Sequence, residues 1–186
     1  MADLITTAGA TRVVAMDLYA AQIQGFFNCP FDHLFATPTL ARAWKEHVGY
    51  GEEFVTVSPD AGGVERARAF AKRIDSSLAI IDKRRSGPNE AKAMHLIGDV
   101  SNKTAVIVDD MIDTAGTLTQ AVDSLLKNGA KRVFAVATHP VLSGPAISRI
   151  HESRLEKVFV SDTIPLSDAA VASGKIQVVS VAPVFS

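Results

Sequence analysis

An apolar run, Thr104-Ala105-Val106-Ile107-Val108, ends in two adjacent acids, Asp109 and Asp110, then passes through Met111-Ile112-Asp113 into Thr114-Ala115-Gly116-Thr117. A carboxylate accepts hydrogen bonds and donates none, so an adjacent pair suits a vicinal diol such as the 2,3-hydroxyls of a ribose. Beyond the pair, the Thr114 and Thr117 hydroxyls, the backbone N–H groups of a helix start and the flexible Gly116 can wrap a phosphate monoester. A plain helix start, with acids complementing its dipole, accounts for Asp113 and Thr114. It gives no reason for Asp109 and Asp110 at the end of a buried strand. The segment is neither a Walker A loop, lacking its Gly-Lys-Thr ending, nor a Gly-x-Gly-x-x-Gly turn.

Two more segments have the composition of a polyphosphate site. In Ser58-Pro59-Asp60-Ala61-Gly62-Gly63-Val64-Glu65-Arg66, a strand turns into a helix through two glycines that permit close backbone approach to an anion. Asp60 there is a hard oxygen donor of the kind that holds Mg²⁺. Read without its neighbours, the same segment is a glycine turn with a helix-capping Asp. In Ile81-Asp82-Lys83-Arg84-Arg85-Ser86-Gly87-Pro88-Asn89, three cations follow a buried strand. Taken alone, such a run reads as a solvated basic turn.

The elements that must position these segments alternate along the chain. Apolar, β-branched runs at 11–18, 54–58, 78–82, 104–108, 132–138, 157–160 and 176–182 read as strands. Stretches at 39–48, 64–74, 117–128 and 144–151 have helical periodicity, and Lys127-Asn128-Gly129 is a helix stop. Strands apolar on both faces, separated by helices, predict an α/β fold with a parallel sheet covered on both sides. In such sheets ligands bind beyond the carboxyl ends of the strands, where all three segments fall. The chain opens inside a helical stretch at 2–8 and closes soon after a strand, which predicts that it is part of something longer.

Composition narrows the classes. With 186 residues, 47% hydrophobic and 21% charged, the chain is an ordinary globular sequence, enough for one full domain plus a remainder. A formal net charge of -1 gives no reason to expect nucleic acid or a membrane surface as partner. No apolar run approaches the roughly eighteen residues that span a bilayer, and the N-terminus lacks the pattern of a signal peptide. A single cysteine, Cys29, fits a reducing compartment, so cytoplasm is the expectation.

The loop from Asp109 to Thr117 resembles the ribose-phosphate loop shared by type I phosphoribosyltransferases and ribose-phosphate diphosphokinases (phosphoribosyl diphosphate synthetases). Asp17-Leu18-Tyr19-Ala20-Ala21-Gln22-Ile23-Gln24-Gly25-Phe26-Phe27 resembles a signature of the synthetases, and the resemblance is near-continuous from Ala2 to about Pro183. It implies a type I phosphoribosyltransferase-like fold and transfer of the β,γ-diphosphoryl group of ATP to ribose 5-phosphate, giving phosphoribosyl diphosphate and AMP with Mg²⁺. Asp109, Asp110, Asp113, Thr114, Ala115, Gly116 and Thr117 would then hold ribose 5-phosphate. Asp60, Ala61, Gly62 and Gly63 would hold diphosphate, with Asp60 on the metal. Lys83 and Arg85 match the catalytic cations that stabilise charge on the transferring group. Thr138-His139-Pro140-Val141-Leu142-Ser143-Gly144-Pro145-Ala146 also matches, with His139 in a structural role. Family members assemble into oligomers, so a homo-oligomer is implied.

Two departures stand out. The synthetases typically read Asp-Leu-His where this chain has Asp17-Leu18-Tyr19, and a neutral phenol is a poor Mg²⁺ ligand. Family members also have two domains, so residues 1–32 would be a remnant of the first and 33–186 the phosphoribosyltransferase-like second. Two other readings compete: a non-catalytic ribose-phosphate-binding or regulatory homologue, and a type I phosphoribosyltransferase. The latter predicts a hood segment for a base, and no stretch of the sequence reads as one.

Overall fold

The computed structural model describes residues 1–84 and 93–185, with Lys83, Arg84, Ala93 and Met94 described by their backbone alone. The first part of the chain comprises α1 (Ala2–Thr7), β1 (Val13–Met16), a 3-10 turn (Ala21–Phe26) and β2 (Phe31–Leu34). β1 and β2 pair in parallel as a small sheet of their own. Then come α2 (Thr37–His47), β3 (Phe54–Ser58), α3 (Val64–Ile74), β4 (Ser77–Arg84) and β5 (Ala93–Ile97). The rest comprises β6 (Thr104–Ile112), α4 (Gly116–Lys127), β7 (Arg132–Pro140), α5 (Ala146–Glu152), β8 (Val158–Ser161), α6 (Asp168–Ala172) and β9 (Ile176–Val179).

Seven strands form the main sheet in the order β5-β4-β3-β6-β7-β8-β9. All neighbours are parallel except β4 and β5, which run antiparallel at one edge. The expectation of an α/β fold with a parallel sheet flanked by helices holds, with this antiparallel edge added. From β3 the chain crosses through α3 to β4 on one side; from β6 it crosses through α4 to β7 on the other. The strand order therefore reverses between β3 and β6, and a crevice opens between their carboxyl ends.

Each face of the sheet buries a core. On one face Ile107, Leu118, Val122, Leu125, Val133 and Ile150 pack beneath α4 and α5. On the other, Leu40, Trp44, Phe70 and Ile74 of α2 and α3 close over Phe54, Val106, Phe134 and Phe159. Every residue of β3 is buried, as a central strand covered on both sides requires.

Several expected boundaries move. The strand expected at 104–108 continues to Ile112, because β7 is long enough to keep pairing: Asp109 lies opposite Ala137 and Met111 opposite His139. Asp109 and Asp110 thus lie within the strand, two residues short of its end, not at the start of a loop. The strand expected at 11–18 ends at Met16, because Asp17 takes φ 43 and breaks the extended run. The last strand stops at Val179, where the Asp162 carboxylate accepts the Val181 N–H at 2.9 Å and turns the chain.

Candidate functional site

A cavity of about 260 Å³ fills the crevice at the reversal of strand order, lined from Asp109 to Leu118, with Pro59 and Asp60 from the end of β3 and Tyr19 from the N-terminal segment. The structure brings Asp60 together with Asp109, Asp110, Asp113, Thr114, Ala115, Gly116 and Thr117. Ala61, Gly62 and Gly63 are not part of that lining. Gly62 borders an adjoining cavity of about 470 Å³, which Tyr19 also lines.

The acid pair is held by its own backbone. The Asp110 N–H donates to Asp109 Oδ1 at 2.9 Å, and the Met111 N–H donates to Asp110 Oδ1 at 2.8 Å. From α3, Arg66 reaches both acids: Nη2 lies 3.3 Å from Asp110 Oδ2, and Nη1 lies 3.8 Å from Asp109 Oδ1. Burial and the neighbouring Asp110 charge push the Asp109 carboxyl up to about 7, against a smaller downward pull from Arg66. Burial and the adjacent charge thus favour a proton on Asp109 to higher pH than on an ordinary carboxyl.

Past the pair, Ala115 adopts φ 58 at the residue before α4, a left-handed conformation that an L side chain tolerates poorly. No side chain caps α4. The plain capped-helix reading of Asp113 and Thr114 therefore fails: the Asp113 carboxylate instead accepts a short hydrogen bond from the Ser143 hydroxyl. An uncapped helix start facing a cavity, with its positive dipole end, is a ready anion site. Arg149 of α5 braces the loop from outside, donating through Nη1 to the Thr114 carbonyl at 3.0 Å. A Cβ on Gly116 would meet that same nitrogen at 3.2 Å, so a side chain there would press on the Arg149 brace.

On the β3 side, Asp60 Oδ1 accepts the Gly63 N–H at 2.9 Å, and the Ser58 hydroxyl donates to the Asp60 carbonyl at 2.6 Å. Asp60 thus braces the turn that precedes α3, while no side chain caps the helix itself, so the helix-capping reading of Asp60 does not hold. Gly63 has an ordinary φ of -85, and a Cβ there would sit 3.0 Å from Ser58 Oγ, a tight contact that glycine avoids. Among the described residues no cluster of three or more His, Cys, Asp or Glu has metal-binding geometry. Mg²⁺ does not need one, since it keeps several waters and takes one or two carboxylates plus substrate phosphates. Four carboxylates and, among the described residues, no Lys or Arg line the cavity. A phosphate-bearing ligand would therefore need an added cation there, and Asp60 fits that use.

His139 does not line the cavity and is engaged with the N-terminal segment. Its Nε2 lies 3.0 Å from the Met16 carbonyl and 3.2 Å from the Asp17 carbonyl, and its Nδ1 lies 3.0 Å from Thr163 Oγ1. Tyr19 stands 79% exposed at the mouth. Of the two expected catalytic cations, Lys83 belongs to β4, with its side chain outside the description, and Arg85 lies outside the described residues. Sequence reasoning had not singled out Arg66 or Arg149. Arg66 had one signal: it sits three residues after Gly63, in the first turn of a helix that starts at the crevice.

A doubly covered, mostly parallel sheet, with an acid pair and an uncapped helix start lining a crevice at its strand-order reversal, defines an α/β protein. Residues 84–186 match the family described as phosphoribosyl synthetase-associated domain, and the chain belongs to that family. It is 55% identical over its full length to a ribose-phosphate pyrophosphokinase of Caldanaerobacter subterraneus subsp. tengcongensis. It is 51% identical to one of Fusobacterium nucleatum, and it spans 58% of the length of each of these relatives. The phosphoribosylpyrophosphate synthetase from Mycobacterium smegmatis superposes with a TM-score of 0.90 at 42% identity, over 99% of this chain and 59% of that one. No helix among the described residues is long and apolar enough to cross a membrane.

Proposed function

We propose that this chain carries the acceptor and diphosphate sites of a ribose-phosphate diphosphokinase, which moves the β,γ-diphosphoryl group of ATP to the 1-hydroxyl of ribose 5-phosphate in nucleotide biosynthesis. The observation that carries the reading is the meeting of Asp60 with the Asp109–Thr117 segment in one cavity between β3 and β6. Asp109 and Asp110 accept the ribose 2,3-hydroxyls, and the uncapped start of α4 with Thr114 and Thr117 takes the 5-phosphate. Asp113, fixed by Ser143, shapes the loop between them. This arrangement leaves the 1-hydroxyl facing the Asp60–Gly63 turn, where diphosphate is received. Asp60 would hold Mg²⁺, which neutralises polyphosphate charge when bound. Lys83 and Arg85 stabilise charge on the transferring group, and rate comes from positioning and electrostatics more than from a general base.

Residues 1–32 are read as the remnant of a first domain and 33–186 as the phosphoribosyltransferase-like domain; the separate β1–β2 sheet supports a division close to that point. The reading also assigns ATP and phosphoribosyl diphosphate as further ligands, a cytoplasmic location and a homo-oligomeric state. The test is AMP release from ATP with ribose 5-phosphate and Mg²⁺, alongside calorimetric titration of ribose 5-phosphate alone. Binding that is lost in Asp110→Asn supports the assignment. No binding of ribose 5-phosphate by the folded chain overturns it.

A further inference from the structure

We propose that Arg66 is the positioning residue of the acid pair: its guanidinium, anchored on α3, holds Asp109 and Asp110 in the arrangement that recognises a vicinal diol. The proposal rests on the ribose-phosphate reading of the cavity and names the residue that gives it selectivity for a ribose over a deoxyribose. Arg66 does not line the sugar-phosphate cavity; it lines the adjoining one, with Asp17, Tyr19, His33, Phe35 and Arg73. Its nitrogens meet the carboxylates from behind, at 3.3 Å from Asp110 Oδ2 and 3.8 Å from Asp109 Oδ1. The side chain is only 20% exposed and Asp110 only 10%, so the contact is shielded enough to matter where surface pairs do not.

The hydrogen bonds explain why the pair needs this partner. One oxygen of Asp110 is spent on the Met111 N–H and one of Asp109 on the Asp110 N–H, which fixes both carboxylate planes relative to the strand. The guanidinium takes the other Asp110 oxygen and stands beside the bonded Asp109 oxygen. None of these bonds uses Asp109 Oδ2, which stays open to a hydroxyl donor in the cavity that Asp109 lines. The guanidinium thus supplies one directed hydrogen bond, to Asp110, and a charge 3.8 Å from Asp109, and a lysine ammonium would supply the charge without the same directed geometry. Arg66 also ties the two site segments together, because it begins one turn after Gly63 and a Cβ on Gly63 would lie 3.8 Å from its Nη1. Among the described residues, the charged and titratable groups about the pair are Arg66 on α3, Asp60 after β3, Asp113 on the loop, Tyr19 at the mouth and His139, opposite Met111 on β7.

The alternative is an ion pair that merely fastens α3 to β6. The two differ in what a substitution moves. The full 186-residue chain and its Arg66→Gln and Arg66→Lys variants would be titrated with ribose 5-phosphate, 2-deoxyribose 5-phosphate and inorganic phosphate from pH 5.5 to 8.5, with folding checked by circular dichroism. In Arg66→Gln, affinity for ribose 5-phosphate is expected to fall about 10- to 50-fold, with inorganic phosphate unchanged within about twofold, since the loss falls on charge-assisted contacts to the diol alone. The preference for ribose over deoxyribose collapses, and the acid limb of binding moves up by about one pH unit. Arg66→Lys keeps the pH limb and recovers only part of the preference. An unchanged sugar preference and pH limb in a folded Arg66→Gln, with only thermal stability lowered, overturns the positioning role and leaves the ribose-phosphate reading intact. Failure of the unsubstituted chain to bind ribose 5-phosphate overturns both.

Discussion

The Thr138 hydroxyl donates to the Asp17 carboxylate at 2.7 Å across 121 residues of sequence, wholly buried. The same carboxylate oxygen accepts the Ala36 N–H at 3.0 Å, and His139 next door holds the Met16 and Asp17 carbonyls. These bonds fasten the N-terminal segment to the end of β7 at the point where Asp17 takes its positive φ. They therefore aim Leu18 and Tyr19 at the cavity mouth.

Thr138→Val keeps the shape and removes the donor. It is expected to lower stability by about 1–3 kcal/mol, the cost of leaving a buried charged acceptor short of a partner. Urea unfolding checks this: the midpoint should fall with the slope unchanged. A midpoint equal to the wild type's would show that the bond contributes nothing.

Asp109 sets a pH dependence of known sign. Unfolded, it titrates near the usual value of about 3.9; folded, it is raised to about 7. Between these values the folded state holds the extra proton, so this contribution to stability is complete below about pH 4 and is lost as pH rises through about 7. Asp109→Asn is expected to exceed the wild type by about 1–3 kcal/mol at pH 8 and to match it near pH 4. Denaturant midpoints at the two pH values decide it, and a gap that stays constant with pH would refute the assignment.

Ala115→Gly tests the strain at the start of α4. The left-handed conformation costs an L residue about 1–2 kcal/mol, and glycine's extra freedom in the unfolded chain returns about 0.5–1 kcal/mol of that. The variant should be neutral or up to about 1 kcal/mol more stable. Ala121→Gly, at a buried site inside the same helix, should cost about 1 kcal/mol or more. Thermal melts of both variants should therefore move in different directions or by clearly unequal amounts.

Gly63→Ala places a methyl 3.0 Å from Ser58 Oγ and 3.7 Å from Asp60 Oδ1. The Ser58 hydroxyl must shift by a few tenths of an ångström, which disturbs its bond to the Asp60 carbonyl, at about 1 kcal/mol of stability. Inorganic diphosphate binding with Mg²⁺ should weaken more than ribose 5-phosphate binding. Equal losses for the two ligands would contradict the division of the site into a β3 half and a β6 half.

The sequence was most legible where chain breaks are sharp. β3 and α3 begin and end where expected, since Ser58-Pro59 stops the strand and Asp75, in a left-handed conformation, stops the helix. Helix α4 ends at Lys127 with Gly129 at φ 91, as Lys127-Asn128-Gly129 implied. β2 escaped notice because Phe31-Asp32-His33-Leu34 is half-buried with polar residues inside it. β5 escaped because Ala-Met-His-Leu-Ile has one β-branched residue, at its end. The antiparallel edge follows from strand pairing that no local pattern encodes. In the site, the Asp60 and Asp109–Thr117 segments were readable because each is contiguous. Arg66 was not, because its partners lie 44 residues away in β6 and are met only after the sheet forms.

Trp44 is the chain's one tryptophan. It is fully buried on the α2–α3 face, edge-on to Phe54, Phe70, Phe134 and Phe159 at centroid distances of 5.3 to 6.3 Å. It lines neither of the two cavities described above. The chain therefore carries an intrinsic fluorophore that senses the integrity of one layer and is silent to the crevice between β3 and β6. Emission should be blue-shifted in the native state and red-shift on unfolding, while sugar phosphate leaves it unmoved. Loss of the native fold and loss of the ligand site can thus be followed in separate optical channels of one unlabelled sample.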